Sequence, residues 1–197
     1  MTGVPVERLD AGETRAVAEL IAAAFEPLAV TAWLVPDDAK RRAVLADDFE
    51  ILVEHAMRHG VVHGTADRSG VAVWLPQVGE PAPLPADYDE RVAAACGEWT
   101  PRFRLLDELF EANHPHAPHH HLAFLAVAPG RQGRGTGTAL LRHHHAALDA
   151  EGLPGYLEAS SDGSRALYAR HGYVPSEPFR LPDGTPFHPM WRAPAAR

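Results

Sequence analysis

A glycine-rich junction between a strand-like and a helix-like segment constrains this chain more than any other feature. His121 to Val127 (HLAFLAV) is a nearly continuous apolar run, and Pro129-Gly130 ends it. Thr136 to Ala150 follows, with Leu140, Leu141, His144 and Leu148 on one helical side. Between them lie Arg131, Gln132, Gly133, Arg134 and Gly135, with Gly137 and Thr138 just inside the helix. Glycines at alternate positions let the backbone turn sharply and approach a ligand closely. The first amides of a helix have no intrahelical acceptor, and together with the helix dipole they form a nest for an anion. Arg131 and Arg134 add positive charge. The stretch is expected to bind phosphate.

Two common phosphate loops fail on spacing. Gly130 and Gly135 are separated as in a P-loop, but Thr136 stands where the lysine must be. The sole lysine of the chain is Lys40. A dinucleotide fingerprint needs a third glycine at 138, where Thr138 stands. Gln132-x-x-Gly135-x-Gly137 instead resembles the acetyl-CoA pyrophosphate loop of the GNAT superfamily of N-acetyltransferases. Leu125-Ala126-Val127 and Pro129 before it, and Ala139-Leu140-Leu141 after it, fit the same pattern. Downstream, Leu157-Glu158-Ala159-Ser160 and Ala166-Leu167-Tyr168-Ala169-Arg170-His171-Gly172-Tyr173 resemble the family's fifth strand and following helix. Within the family, the layout is similar to that of puromycin N-acetyltransferase-like actinobacterial enzymes. That similarity rests on Ala22 to Phe25, Val71 to Trp74, the 157–160 run, and Pro182-Asp183-Gly184 with Met190.

The rest of the chain reads as a mixed α/β (α+β) order. Val4 to Leu9 is a short strand. Helices follow over Glu13–Phe25 and from Asp37-Asp38 to His59, joined by a linker through Trp33 and Pro36. Gly60 is expected to close the second in the left-handed C′ manner. Val61–Ala66 and Val71–Leu75 form a hairpin around Asp67-Arg68-Ser69-Gly70. A proline-rich loop leads into a helical insertion over 81–116. Its Thr100-Pro101 step suggests two helices, with Thr100 as N-cap and Pro101 first inside. A helix over Ser164–His171, with His171 facing solvent, and a last hairpin around Pro182-Asp183-Gly184 complete the order. The resemblance implies the GNAT fold, a central twisted mixed sheet of about six to seven strands flanked by helices. The length of 197 residues suits one domain spanning 1–197.

Composition narrows the function. The net charge is −8 with histidine neutral, which argues against nucleic acid. Early charges (Glu7, Arg8, Asp10), the absence of a long apolar run and a lone Cys96 suggest a cytoplasmic protein without membrane contact or disulfides. The chain is expected to act as a monomer or homodimer.

The resemblance implies acetyl-CoA as donor and a small-molecule amine as acceptor. A non-catalytic acyl-CoA-binding or sensing domain, and a modifier of protein N-termini or lysines, are the rival functions. Leu125, Ala126 and Val127 would pair with the pantetheine arm. Residues Arg131 to Thr138 would hold the pyrophosphate, and Ser164 would stand for an asparagine that often contacts CoA. Tyr168 falls where the family's tyrosine lies near the CoA sulfur and is the general-acid candidate. His121 and Glu158 compete as base, with solvent as a third option. Trp33, Trp74 and Trp191 are candidates for the acceptor pocket, because aromatic faces suit a cation. Histidines crowd 114–121 and 143–145, but neighbours on a strand or helix diverge, so no metal site is expected and the side chains should be superficial.

Overall fold

The computed structural model describes residues 4–195. Its strands are β1 (Val6–Arg8), β2 (Val61–Thr65), β3 (Gly70–Gln77), β4 (His119–Val127), β5 (Gly155–Ala159), β6 (Val174–Pro175), β7 (Phe179–Arg180) and β8 (Pro186–Arg192). Its helices are α1 (Thr14–Phe25), α2 (Ala29–Leu34), α3 (Asp38–His59), α4 (Tyr88–Cys96), α5 (Thr100–Asn113), α6 (Thr136–Glu151) and α7 (Asp162–Arg170). The sheet runs β1-β2-β3-β4-β5-β8-β6, with β7 on β8, one or two strands more than expected. All pairs are antiparallel except β4 with β5. No helix among the described residues is long and apolar enough to cross a membrane.

Each face of the sheet buries its own core. Val62, Val71, Val73, Phe124 and Ala126 pack with the apolar sides of α1 and α3. Ala72, Trp74, Leu122, Leu157 and Ala159 pack with Leu140, Leu141 and Leu148 of α6. On β4 the alternation breaks. Val73 pairs with Phe124 but Trp74 pairs with Leu122, leaving Ala123 as an extra residue in a β-bulge. Leu122 and Phe124, two residues apart, therefore face opposite cores. Strict alternation would have put His121 opposite Phe124. The bulge turns His121 to the face that Phe124 lines.

Several local readings need correction. The stretch around Trp33 is helical (α2), not an open linker, and the Thr31 hydroxyl donates to the carbonyl of Leu28 at 2.8 Å within it. Gly60 has φ −129°, not a left-handed turn. Its glycine is needed for packing, since a Cβ there would lie 2.2 Å from the Trp74 carbonyl oxygen. Thr100 is the first residue of α5 rather than its cap, and its hydroxyl donates to the Gly97 carbonyl at 2.7 Å. The last helix begins at Asp162, two residues early, because Ser161 caps it and Ser164 closes a capping box.

Candidate active site

The β4–β5 ladder is short. Only His120 with Gly155 and His121 with Tyr156 pair before the two strands part. From Leu122 onward the edge of β4 toward β5 is open, while its other edge stays paired to β3 through Val127. A cavity of about 470 Å³ fills the gap. It runs from Gln132 and Gly137 past Tyr168 to a chamber walled by α1, α2, α3, α5 and the Phe187 side chain.

The glycine loop lies at one mouth. Gly130, Gly133 and Gly135 all have positive φ, at 76°, 75° and 86°, which favours glycine at each. Gly135 precedes α6, so the free amides of Thr136, Gly137 and Thr138 start the helix there. Gln132 clamps the loop: its Oε1 accepts from the Gly130 amide at 2.9 Å and its Nε2 donates to the Val127 carbonyl at 3.1 Å. Arg131, Gly133 and Arg134 are exposed on the rim. Thr136 is buried beside Gly70, leaving its amide rather than its side chain for an anion. Thr138 hydrogen-bonds His171 at 3.2 Å, and His171 is accordingly half-buried instead of solvent-facing. Gly135→Ala is expected to strain the left-handed turn by ~1 kcal/mol. Thermal melting should drop by roughly 2–4 °C. Relief by a displaced loop should weaken CoA binding about fivefold in calorimetry.

The two rival bases are partners. Nε2 of His121 lies 2.8 Å from Oε2 of Glu158. Glu158 sits on β5 between Leu157 and Ala159, which face the other core, so its side chain shares His121's face. The carboxylate is only 4% exposed. Burial pushes it up, but the charge and hydrogen bond of His121, helped by Tyr156 and His114, more than offset this and hold it below the usual range. An ionised Glu158 makes Nε2 of neutral His121 the donor and leaves Nδ1 as the lone-pair nitrogen. Oε1 of Glu158 and the Tyr156 hydroxyl are both buried beside one another's side chains. His114 adds a third ring, with Nδ1 3.9 Å from Glu158. One ligand atom each from His114, His121 and Glu158 fall within 4.8 Å of one another, a grouping that spacing along the chain did not signal. The expectation of superficial histidines is corrected too. His119, His144 and His145 are buried; His144 stacks on Trp74 with ring centroids 4.1 Å apart.

Tyr168 lines the cavity, 7% exposed, with no hydrogen bond from its hydroxyl among the described residues. Burial pushes its phenol up, so it stays protonated across the physiological range. Ser164 also lines the cavity, but its hydroxyl donates to the Ser161 carbonyl at 2.9 Å and accepts from the Ser161 amide. The tryptophans are elsewhere. Trp74 is fully buried in the α6 core, because its strand position faces away from the cavity. Trp33 and Trp191 are half-buried and absent from the cavity wall; the Arg102 guanidinium covers Trp33, and Trp191 packs near His119 and Tyr156. The aromatic wall is made of phenylalanines instead, among them Phe25, Phe49, Phe103, Phe110 and Phe124.

Residues 90–175 match the model of an acetyltransferase (GNAT) domain. That stretch carries a GNAT acetyltransferase domain. The described residues have the GNAT fold, a mixed sheet flanked by helices. The chain is similar to a Corynebacterium glutamicum structure described as histone acetyltransferase HPA2 and related acetyltransferase. That match has 27% identity and a TM-score of 0.73, covering 100% of this chain and 99% of that one. The fold is shared with arylalkylamine N-acetyltransferase 2 from Aedes aegypti, at 13% identity and TM-score 0.61, over 96% of this chain and 98% of that one. It is shared with an agmatine N-acetyltransferase mutant as well, at 19% identity and TM-score 0.61, again over 96% and 98%.

Sequence reasoning did not single out Asp48 on α3 and Asp107 on α5, which also line the cavity. A signal existed. Asp48 lies between Leu45 and Leu52 on the inward stripe of α3, and Asp107 between Phe103 and Phe110 on α5. Burial, then the charge of Asp107, push the Asp48 carboxyl up to about 7, against a weaker lowering by Cys96. A carboxyl raised in the folded state costs stability as pH climbs from the ordinary carboxylate range through about 7. The facing titratable groups are Asp107, Cys96 and Tyr88, all shifted upward by burial first. Asp48→Asn is therefore expected to raise the melting temperature by an amount that grows between pH 4 and pH 7 and then levels off. A uniform loss at every pH would make Asp48 a plain structural partner.

Proposed function

We propose that this chain transfers the acetyl group of acetyl-CoA to a primary amine of a small molecule. The observation that carries this reading is a cavity joining the glycine loop to a phenylalanine-lined chamber, with the His121–Glu158 pair and Tyr168 on its wall. The nest of Gly135 and the first amides of α6 receives the pyrophosphate, with Arg131 and Arg134 on the rim. The open edge of β4 at Leu125, Ala126 and Val127 takes the pantetheine arm by backbone pairing, and its amides polarise the thioester carbonyl.

The amine nitrogen attacks that carbonyl carbon, forming the C–N bond. The tetrahedral intermediate collapses and the C–S bond breaks. Nδ1 of His121 accepts the amine proton, while Glu158 holds Nε2–H and stabilises the imidazolium. The Tyr168 hydroxyl protonates the departing thiolate. Ser164 serves the shape of α7 rather than CoA directly, its hydroxyl being committed to Ser161. A cavity of about 470 Å³ walled in part by α5 of the 81–116 insertion favours a small acceptor over a protein chain. The amine acceptors named for two of the fold neighbours, and the resemblance to puromycin N-acetyltransferase-like enzymes, point the same way. An acetylation screen over amine antibiotics, arylalkylamines and polyamines, read by free-thiol release and product mass, tests the proposal. Transfer to at least one small amine is expected. Tight acetyl-CoA binding with no transfer to any amine would mark an acyl-CoA-binding domain instead.

A further inference from the structure

Asp48 and Asp107, at the chamber end of the cavity, take no part in the steps above. Both line the wall, and Asp48 is more than nine-tenths buried. Each has one neutral donor. Cys96 Sγ lies 3.5 Å from Oδ1 of Asp48, and the Tyr88 hydroxyl donates to Oδ2 of Asp107 at 2.9 Å. Both donors come from α4, behind the chamber. Oδ2 of Asp48 and Oδ1 of Asp107 have no hydrogen-bond partner, and neither carboxylate joins an ion pair, among the described residues. Other acids nearby are matched: Glu54 takes Arg58 and Arg91, and Asp47 and Glu50 take Arg15. Two carboxylates drawn from water toward one cavity without a cation are a costly arrangement. A cationic ligand would reverse that cost through charge-assisted hydrogen bonds.

The geometry points to a subsite for a second cationic group of the acceptor. The substrate class is then an amine whose far end carries an ammonium or guanidinium bound by Asp48 and Asp107. An apolar spacer between the two ends would lie against Phe49, Phe103 and Phe124 of the same wall. This rests on the reading of the chamber as the acceptor site. The phenylalanine faces add a favourable surface for a cation entering or leaving. The chain's only thiol, Cys96, and Tyr88 act here as positioning residues that fix one oxygen of each carboxylate.

Calorimetric titration of the CoA-bound protein at pH 8 tests the subsite without requiring turnover. The probes are α,ω-diaminoalkanes of graded length and the monoaminoalkanes of equal length. Wild type is expected to bind the best diamine at least tenfold tighter than its monoamine. Asp48→Asn and, separately, Asp107→Asn should shrink that ratio by about ten- to a hundredfold, the loss of a charge-assisted bond. Asparagine preserves the side-chain shape, and two independent variants keep the test decisive if one fails to fold. Equal affinity for both series, or a diamine preference that survives both substitutions, would overturn the subsite and leave the pair as a structural contact between α3 and α5. Asp48-dependent diamine binding without thiol release would keep the subsite and sink the acetyl-transfer reading. Acetylation with no diamine preference would do the reverse.

Discussion

Tyr168→Phe is expected to lower kcat by roughly 10²–10⁴-fold, the range for lost general acid catalysis. The phenol is buried at the cavity wall and has no protein partner among the described residues, so its proton is not committed elsewhere. Burial raises it, so the proton remains in place over the working pH range until a thiolate forms beside it. The ring packs edge-on to Tyr173 at 5.8 Å, and phenylalanine keeps that contact. The affinity for acetyl-CoA should therefore change little. Steady-state kinetics separate the outcomes: a fall in kcat with KM steady assigns the hydroxyl to the transition state. A raised KM with kcat intact would assign Tyr168 to cofactor binding. Normal kinetics would hand the proton to water.

The second large effect is expected at the His121–Glu158 pair. His121→Ala should cost about 10²–10⁴-fold in kcat/KM through loss of the proton acceptor. Glu158→Gln should cost at least about tenfold, because glutamine can donate to Nε2 and favour the tautomer in which Nδ1 carries the proton. The two losses should not add, since both act through one imidazole. Additive losses would mean they act separately.

Much of this site is legible along the chain, and the remainder fails for physical reasons. The loop from Arg131 to Thr138 reads clearly because Gly133 and Gly135, and Gly130 just before them, sit at positive φ, a local requirement that the residues themselves carry. Tyr168 follows from its place before Gly172. The open β4 edge does not read, because the bulge at Ala123 has no marker: alanine is neither a glycine nor a proline. That single extra residue decides which face His121 joins. His121 and Glu158 look like rivals in sequence because only the parallel pairing of β4 with β5 brings them within 2.8 Å.

The tryptophans mislead for a related reason. Residue type alone suggested a cation-binding surface, but strand parity sends Trp74 into the α6 core, where it stacks on His144. The carboxylates of Asp48 and Asp107 were visible as charges inside apolar helical stripes. Their meaning required the cavity, since an inward aspartate on one helix is ordinarily matched by a donor on the next. The capping role of Ser164 similarly depends on where α7 begins, two residues before the periodic pattern suggests.

Acetyl transfer by these residues depends most directly on where the two substrates lie relative to His121 and Tyr168. A crystal structure with a conjugate of CoA and a small amine, spanning both sites, measures this in one experiment. The predicted result has the pyrophosphate on the amides that begin α6 and the pantetheine arm paired along β4. It has the sulfur within hydrogen-bond reach of the Tyr168 hydroxyl, and the amine nitrogen reaching His121 directly or through one water. A conjugate whose amine lies outside the chamber, or whose sulfur turns away from Tyr168, would contradict it.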